Sequence, residues 1–204
     1  MRVSLLRHGM TQGGDIYRGH TDVALTAEGL LQMQQANAGF ALPVDYLVSS
    51  TLQRCAAFAT LHGQPELLDA RLQEMSFGDC DGQLRSEVWL AHAEQVKAFW
   101  NNPMVAAAPN GESVAVVQKR AIACLHEHVQ FALKQGKQHL LLVTHGGVIR
   151  AMLSDLLQMQ PQALFNVDVP YGGVVCLNVA SFDDAAGQPD YHISVDFTAK
   201  QDFV

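Results

Sequence analysis

The stretch HLLLVTHGG, His139 to Gly147, decides the reading of this chain: an unbroken apolar run ends in a histidine backed by two glycines. A short run of this kind, bounded by glycine, has the pattern of a buried strand. The same order stands near the amino end, where Arg2–Leu6 (RVSLL) leads into Arg7, His8 and Gly9. Helical patterning follows each. Thr26 is placed as an N-cap, with Leu30, Met33, Ala36 and Phe40 at near-helical spacing until Pro43 stops the helix. After Gly147 a helical pattern runs through Leu157.

Between these two units, Tyr46–Ser49 repeats the strand signal and Leu52–His62 the helical one, with Arg54 in its first turn and Gly63 as a C-cap. A shorter helix is expected at about Arg85 to Trp100, and a longer one from Ser113 to Gly136. Gly173–Val179 and Tyr191–Phe197 have the character of late strands. Strands alternating with helices predict a layered α/β domain with a mainly parallel sheet.

Composition limits the function. The 204 residues suit one domain, and no apolar run reaches the length of a bilayer-spanning helix. The N-terminal apolar stretch is too short for a signal peptide and is cut by Arg7 and His8, so a cytoplasmic location is expected. Cys55, Cys80, Cys124 and Cys176 are too scattered for a C-x-x-C site or a disulfide framework and are expected to be small buried side chains. A net charge of -7 gives no footprint for nucleic acid, and no membrane contact is expected. Any anion must therefore be held by a local cluster of positive charge.

In open α/β sheets ligands sit beyond the carboxyl ends of the strands. His8 and His145 each end an expected strand, as does the Ser49–Ser50 segment that leads to Arg54. Three distant segments can thus meet in one crevice. A histidine at a strand end is most often a structural or solvent-facing residue, and His20, His62, His92, His126, His128, His139 and His192 are read that way. His8 and His145 differ because glycines follow them and arginines stand close by. Glycine lets a backbone approach a ligand, and the guanidinium fork matches phosphate oxygens.

Arg7-His8-Gly9-x-Thr11, Gly19-His20-Thr21-Asp22, Leu52-x-Arg54, Leu72-x-Glu74-x-x-Phe77-Gly78, Gly111-Glu112-Ser113 and Thr144-His145-Gly146-Gly147 together resemble the histidine phosphatases, the phosphoglycerate mutase-like superfamily. The resemblance spans most of the chain and weakens after about Ala151. It implies a three-layer α/β/α sandwich. It also implies attack by His8 on phosphorus to form a phosphohistidine, with Arg7, Arg54 and His145 on the phosphoryl oxygens and Glu74 as the acid that protonates the leaving oxygen. Thr11, Arg18 and Gly146 are expected on the substrate-binding side. No metal and no cofactor is implied, and the partner is a small-molecule phosphomonoester.

The chain departs from the family pattern at several places. Met10 and Gly14 stand where Glu or Gln and then Asn are common, Arg18 replaces Gln or Ser, and Thr51 and Phe58 replace Pro and Thr. Gly13 and Gly14 are candidates to supply backbone N–H groups in place of the Asn, and Arg18 to add a contact to phosphate or a sugar. A phosphate loop of the G-x-x-x-x-G-K type, a G-x-S-x-G elbow and an H-E-x-x-H helix are all missing from the sequence. Asp79-Cys80-Asp81-Gly82 follows no apolar strand, the wrong context for an aspartyl phosphatase.

Ser86–Gln118 offers a single lysine, Lys97, for a second phosphate or a carboxylate, which favours a monophosphate monoester. Trp89, Phe99, Trp100 and Met104 can cover a flat apolar base such as the benzimidazole of α-ribazole 5'-phosphate, the leading substrate. A mutase-like or broad-specificity phosphatase, or a weakly active phosphate-binding module, stands as the alternative.

Overall fold

The computed structural model describes residues 1–61 and 67–198. Six strands, β1 (Arg2–Arg7), β2 (Tyr46–Ser49), β3 (Leu67–Leu68), β4 (His139–Thr144), β5 (Val174–Asp183) and β6 (Pro189–Asp196), form one sheet in the order β3-β2-β4-β1-β5-β6. The first four lie parallel, while β5 and β6 pair antiparallel along the other edge. The sheet is therefore mixed, parallel where it carries the histidines.

The helices are α1 (Ala27–Ala38), α2 (Gln53–Leu61), α3 (Arg85–Ala91), α4 (Ala93–Asn101), α5 (Val114–Lys134) and α6 (Gly146–Leu156), besides short 3-10 turns at Ala70–Leu72, Gly78–Cys80 and Pro161–Asn166. The period-2 alternation of β4 sorts them into layers. Leu140 and Leu142 point into a core with Val117, Leu125 and Val129 of α5 and Ile149 and Met152 of α6. Leu141 and Val143 point the other way, onto Met33 of α1 and Cys55 and Phe58 of α2. Both faces of β4 are dry, which is why its sequence is continuously apolar.

Most expected boundaries match within a residue or two. Thr26 caps α1, its hydroxyl accepting from the Gly29 N–H at 2.9 Å, but that helix closes at Gly39, before Pro43 is reached. Gly136, in the left-handed region at φ 66°, ends α5. The helix expected over Arg85–Trp100 is two helices with a break at His92, φ -131° and ψ 34°. The break bends the segment so that Val88, His92, Val96 and Phe99 all face one cavity. Strand β3 escapes sequence reading because two exposed leucines carry no period; pairing with Val48 and Ser49 defines it. The C-cap expected at Gly63 lies outside the described residues. All four cysteines are buried and free. No helix among the described residues is long and apolar enough to cross a membrane.

Candidate active site

Parallel pairing sets Arg7 beside Thr144, so the chain leaves β1 and β4 side by side, and the His8 N–H donates to the Thr144 carbonyl at 2.9 Å. The His8 and His145 rings meet edge to face, centroids 5.1 Å apart. β2 ends next to β4, with the Ser50 N–H on the Val143 carbonyl at 2.9 Å, and α2 then brings Arg54 onto the His145 ring. Three strand ends converge, as the sequence leads one to expect.

Hydrogen bonds assign the tautomers. His8 Nδ1 lies 2.8 Å from the Gly9 carbonyl, which can only accept, so Nδ1 carries the proton and Nε2 keeps its lone pair. Burial, then the cationic Arg54, Arg7 and Arg18, lower the His8 pKa to about 3. A ring that stays neutral is a ring able to attack. Arg54 Nε donates to His145 Nδ1 at 3.2 Å, which leaves the His145 proton on Nε2, donated to Ser50 Oγ at 2.9 Å. Burial and Arg54 hold His145 well below its ordinary range too.

These shifts have a measurable consequence. Between pH 6.5 and about 3 the unfolded chain takes up a proton that folded His8 refuses, so stability falls with falling pH. The slope approaches about 1.4 kcal/mol per pH unit for one such histidine. His8→Asn should flatten the fall of Tm between pH 6.5 and 4.5; parallel Tm curves for the two proteins would show that His8 is not desolvated.

Arg54 is fully buried, and besides His145 it donates to the Thr21 carbonyl at 3.0 Å and the Gly19 carbonyl at 2.7 Å. Three of its five N–H bonds are thus engaged and two are left for a ligand. Arg7 Nη1 donates to the Val169 carbonyl at 2.5 Å, and its guanidinium lies over the Tyr171 ring, 4.1 Å from the centroid. That ring also stands 5.6 Å from His8. Tyr171 escapes the sequence reading, since a tyrosine between Pro170 and Gly172 carries no period.

The Glu74 carboxylate reaches the amino end of α6, where Oε2 accepts from the Gly147 N–H at 3.2 Å and Oε1 from the Met75 N–H at 3.0 Å. A Cβ on Gly147 would overlap the Glu74 carboxylate, so the second glycine of His145-Gly146-Gly147 makes room for it. On Gly146, at the first turn of α6, a Cβ would press on Arg7 and Arg150 at 3.2 Å each. The helix N-terminus adds its own attraction for an anion.

Arg120, another residue the sequence does not single out, holds the Glu74 loop from behind. It donates to the carbonyls of Arg71 and Gln73 at 2.7 Å and of Glu74 at 3.1 Å, and pairs with Glu112 at 2.8 Å. Glu112 in turn accepts from the Ser76 N–H at 2.9 Å. Asp81 is engaged in bracing backbone, accepting from the N–H groups of Gly19, Thr21 and Phe77.

Arg18 comes close enough to depress His8, yet its Nη2 donates to the Gln12 and Gly14 carbonyls at 3.1 and 2.6 Å, folding the loop where Gly13 and Gly14 take positive φ. Its buried Nε and the buried hydroxyl of Thr11 have no partner among the described residues. Arg18→Ala should raise KM several-fold with a smaller change in kcat; unchanged constants would confine Arg18 to bracing the loop.

Residues 3–188 match the model of the histidine phosphatase superfamily, branch 1. The adenosylcobalamin/α-ribazole phosphatase of Escherichia coli (strain K12) is 29% identical over 179 residues, 84% of this chain and 87% of that one. A 2,3-bisphosphoglycerate-dependent phosphoglycerate mutase from Cytophaga hutchinsonii is 27% identical over 179 residues, 82% of this chain and 83% of that one. Among solved structures, the α-ribazole phosphatase from Shigella flexneri superposes with a TM-score of 0.77 at 25% identity, covering 95% of both chains.

Proposed function

This chain belongs to the histidine phosphatase superfamily, and from that premise we propose that it is a metal-independent phosphomonoesterase with His8 as nucleophile. The observation that carries the reading is the neutral His8 ring, its Nδ1–H tied to Gly9 and its Nε2 without a hydrogen-bond partner among the described residues, near Arg7, Arg54 and Arg18. Nε2 forms the bond to phosphorus while the phosphorus–oxygen bond to the leaving group breaks. The acid form of Glu74 gives its proton to that oxygen. Glu74, now a carboxylate, takes a proton from water as the water oxygen attacks the phosphohistidine, which releases phosphate and restores His8. Arg7 and Arg54 supply the positive charge that a phosphoryl group in transit requires.

The leading substrate is α-ribazole 5'-phosphate. Support comes from the similarity to two α-ribazole phosphatases and from a small apolar cavity beside the Glu74 loop, walled by Tyr17, Phe77, Val88 and Phe99. Of the residues expected to cover a base, Phe99 lines this cavity, whereas Trp89 and Trp100 are half exposed and Trp100 packs on Phe165. The phosphoglycerate mutase reading is disfavoured because Lys97 is exposed and already paired with Glu94 at 2.9 Å.

Turnover of α-ribazole phosphate, 3-phosphoglycerate and p-nitrophenyl phosphate, measured with EDTA present, tests both levels. Activity should survive the chelator and be greatest on α-ribazole phosphate. Equal rates on the aryl phosphate would remove the substrate assignment, and loss of all activity in EDTA would remove the metal-independent mechanism.

A further inference from the structure

Away from the residues grouped around His8, in a set that shares none of them, three side chains with metal-ligating atoms come together: Asp69, Cys124 and His128. Cys124 and His128 are four residues apart on α5 and so share one face of the helix. Asp69 reaches them from the segment that follows β3. Its Oδ2 lies 3.1 Å from His128 Nε2 and 3.4 Å from Cys124 Sγ, and all three ligating atoms fall within 4.8 Å of one another. In a tetrahedral zinc site, bonds of about 2.0–2.3 Å place neighbouring ligand atoms about 3.3–3.8 Å apart. The cluster needs only small movements to match that spacing.

We propose that Asp69, Cys124 and His128 form a binding site for a thiophilic divalent cation of the zinc type, separate from the catalytic cluster. Two further contacts fit the assignment. Tyr46 Oη lies 2.8 Å from His128 Nδ1, so the ring is oriented from behind by a group able to accept a hydrogen bond from Nδ1–H when Nε2 turns to a metal. The positive charge now at this place is Arg71, whose Nη2 donates to Asp69 Oδ2 at 2.6 Å and whose Nε donates to both Asp69 oxygens at 3.1 Å, while its Nη1 sits 2.7 Å from Glu127. A cation entering at Oδ2 displaces one half of that arrangement, and Arg71 keeps Glu127. Asp69 Oδ1 remains with the Arg71 N–H at 2.9 Å, so the turn at Ala70–Leu72 keeps its cap.

The charges balance. Cys124 releases its thiol proton to solvent as sulfur bonds the metal, and carboxylate plus thiolate neutralise a divalent ion. Water completes the fourth position from the side of Arg71, whose side chain is 33% exposed. Bound metal would tie α5 to the strand edge at β3, adding stability by mass action.

Cobalt(II) titration of the full chain tests the site, because a coordinated thiolate gives an intense sulfur-to-cobalt charge-transfer band. Wild type should show the band at one equivalent, with a Tm that rises with metal concentration. Cys124→Ala should lose both responses and His128→Gln should bind at least tenfold more weakly, while Cys55→Ala, which removes the thiol beside His145, should keep the band. If Cys124→Ala does not fold, His128→Gln and Cys55→Ala still separate the two thiols. No band in wild type, or a band that disappears with Cys55 and not with Cys124 and His128, would overturn the proposal.

Discussion

His8→Ala should lower kcat by at least about 10⁴-fold, because removing a nucleophile deletes the reaction path and leaves only the charge stabilisation around it. The fold has little reason to object. Among the described residues the His8 side chain makes one hydrogen bond, to the carbonyl next in the chain, and its ring is uncharged in the folded state. Phosphate should still bind to Arg7 and Arg54, so inorganic phosphate should protect the variant against heat as it does wild type. Rapid quenching of wild type during turnover should trap phosphate on protein in an acid-labile, base-stable form, as expected of a phosphoramidate, and the variant should trap none. A variant that retained turnover within tenfold of wild type would remove His8 from the mechanism.

The second large effect is at Arg54, where activity and stability should fall together. Arg54→Ala takes a donor from His145 Nδ1 and the Gly19 carbonyl, both buried, and from the partly buried Thr21 carbonyl. Each buried acceptor left without a donor costs about 1–3 kcal/mol, so a loss of about 3 kcal/mol or more is expected, or about 6–12 °C in Tm. The same change removes two N–H bonds free for the phosphoryl group, worth about 10²–10³ in rate. Arg54→Lys should recover part of the stability and little of the rate, since an ammonium on a flexible stem cannot reproduce the fork. The His8 and Arg54 variants together separate chemistry from architecture: one should be inactive and stable, the other inactive and unstable. An Arg54→Ala protein with wild-type Tm would contradict the hydrogen bonds described above.

The legible parts of the molecule were those in which local sequence and local structure obey the same rule. Thr26, Gly136 and the apolar run of β4 announce a cap, a stop and a buried strand through chemistry confined to a few residues. The position of His8 and His145 at strand ends follows from those boundaries. Less legible were features whose cause lies across the chain. Nothing between Ala91 and Glu94 marks a helix break, and the bend at His92 brings both halves of the segment onto a common cavity. Tyr171 and Arg120 matter through neighbours 164 and 49 residues away, Arg7 and Arg71.

By itself the sequence determined the α/β alternation, the parallel strands that end in histidine, and the ordered motifs that mark the superfamily, since each depends on residue type and spacing along the chain. Only the tertiary structure decided which ring nitrogen is free, how far burial lowers His8, how Arg120 holds the Glu74 loop, and that Asp69 meets Cys124 and His128. Those properties arise from desolvation and from hydrogen bonds between distant segments, which exist only once the chain has packed.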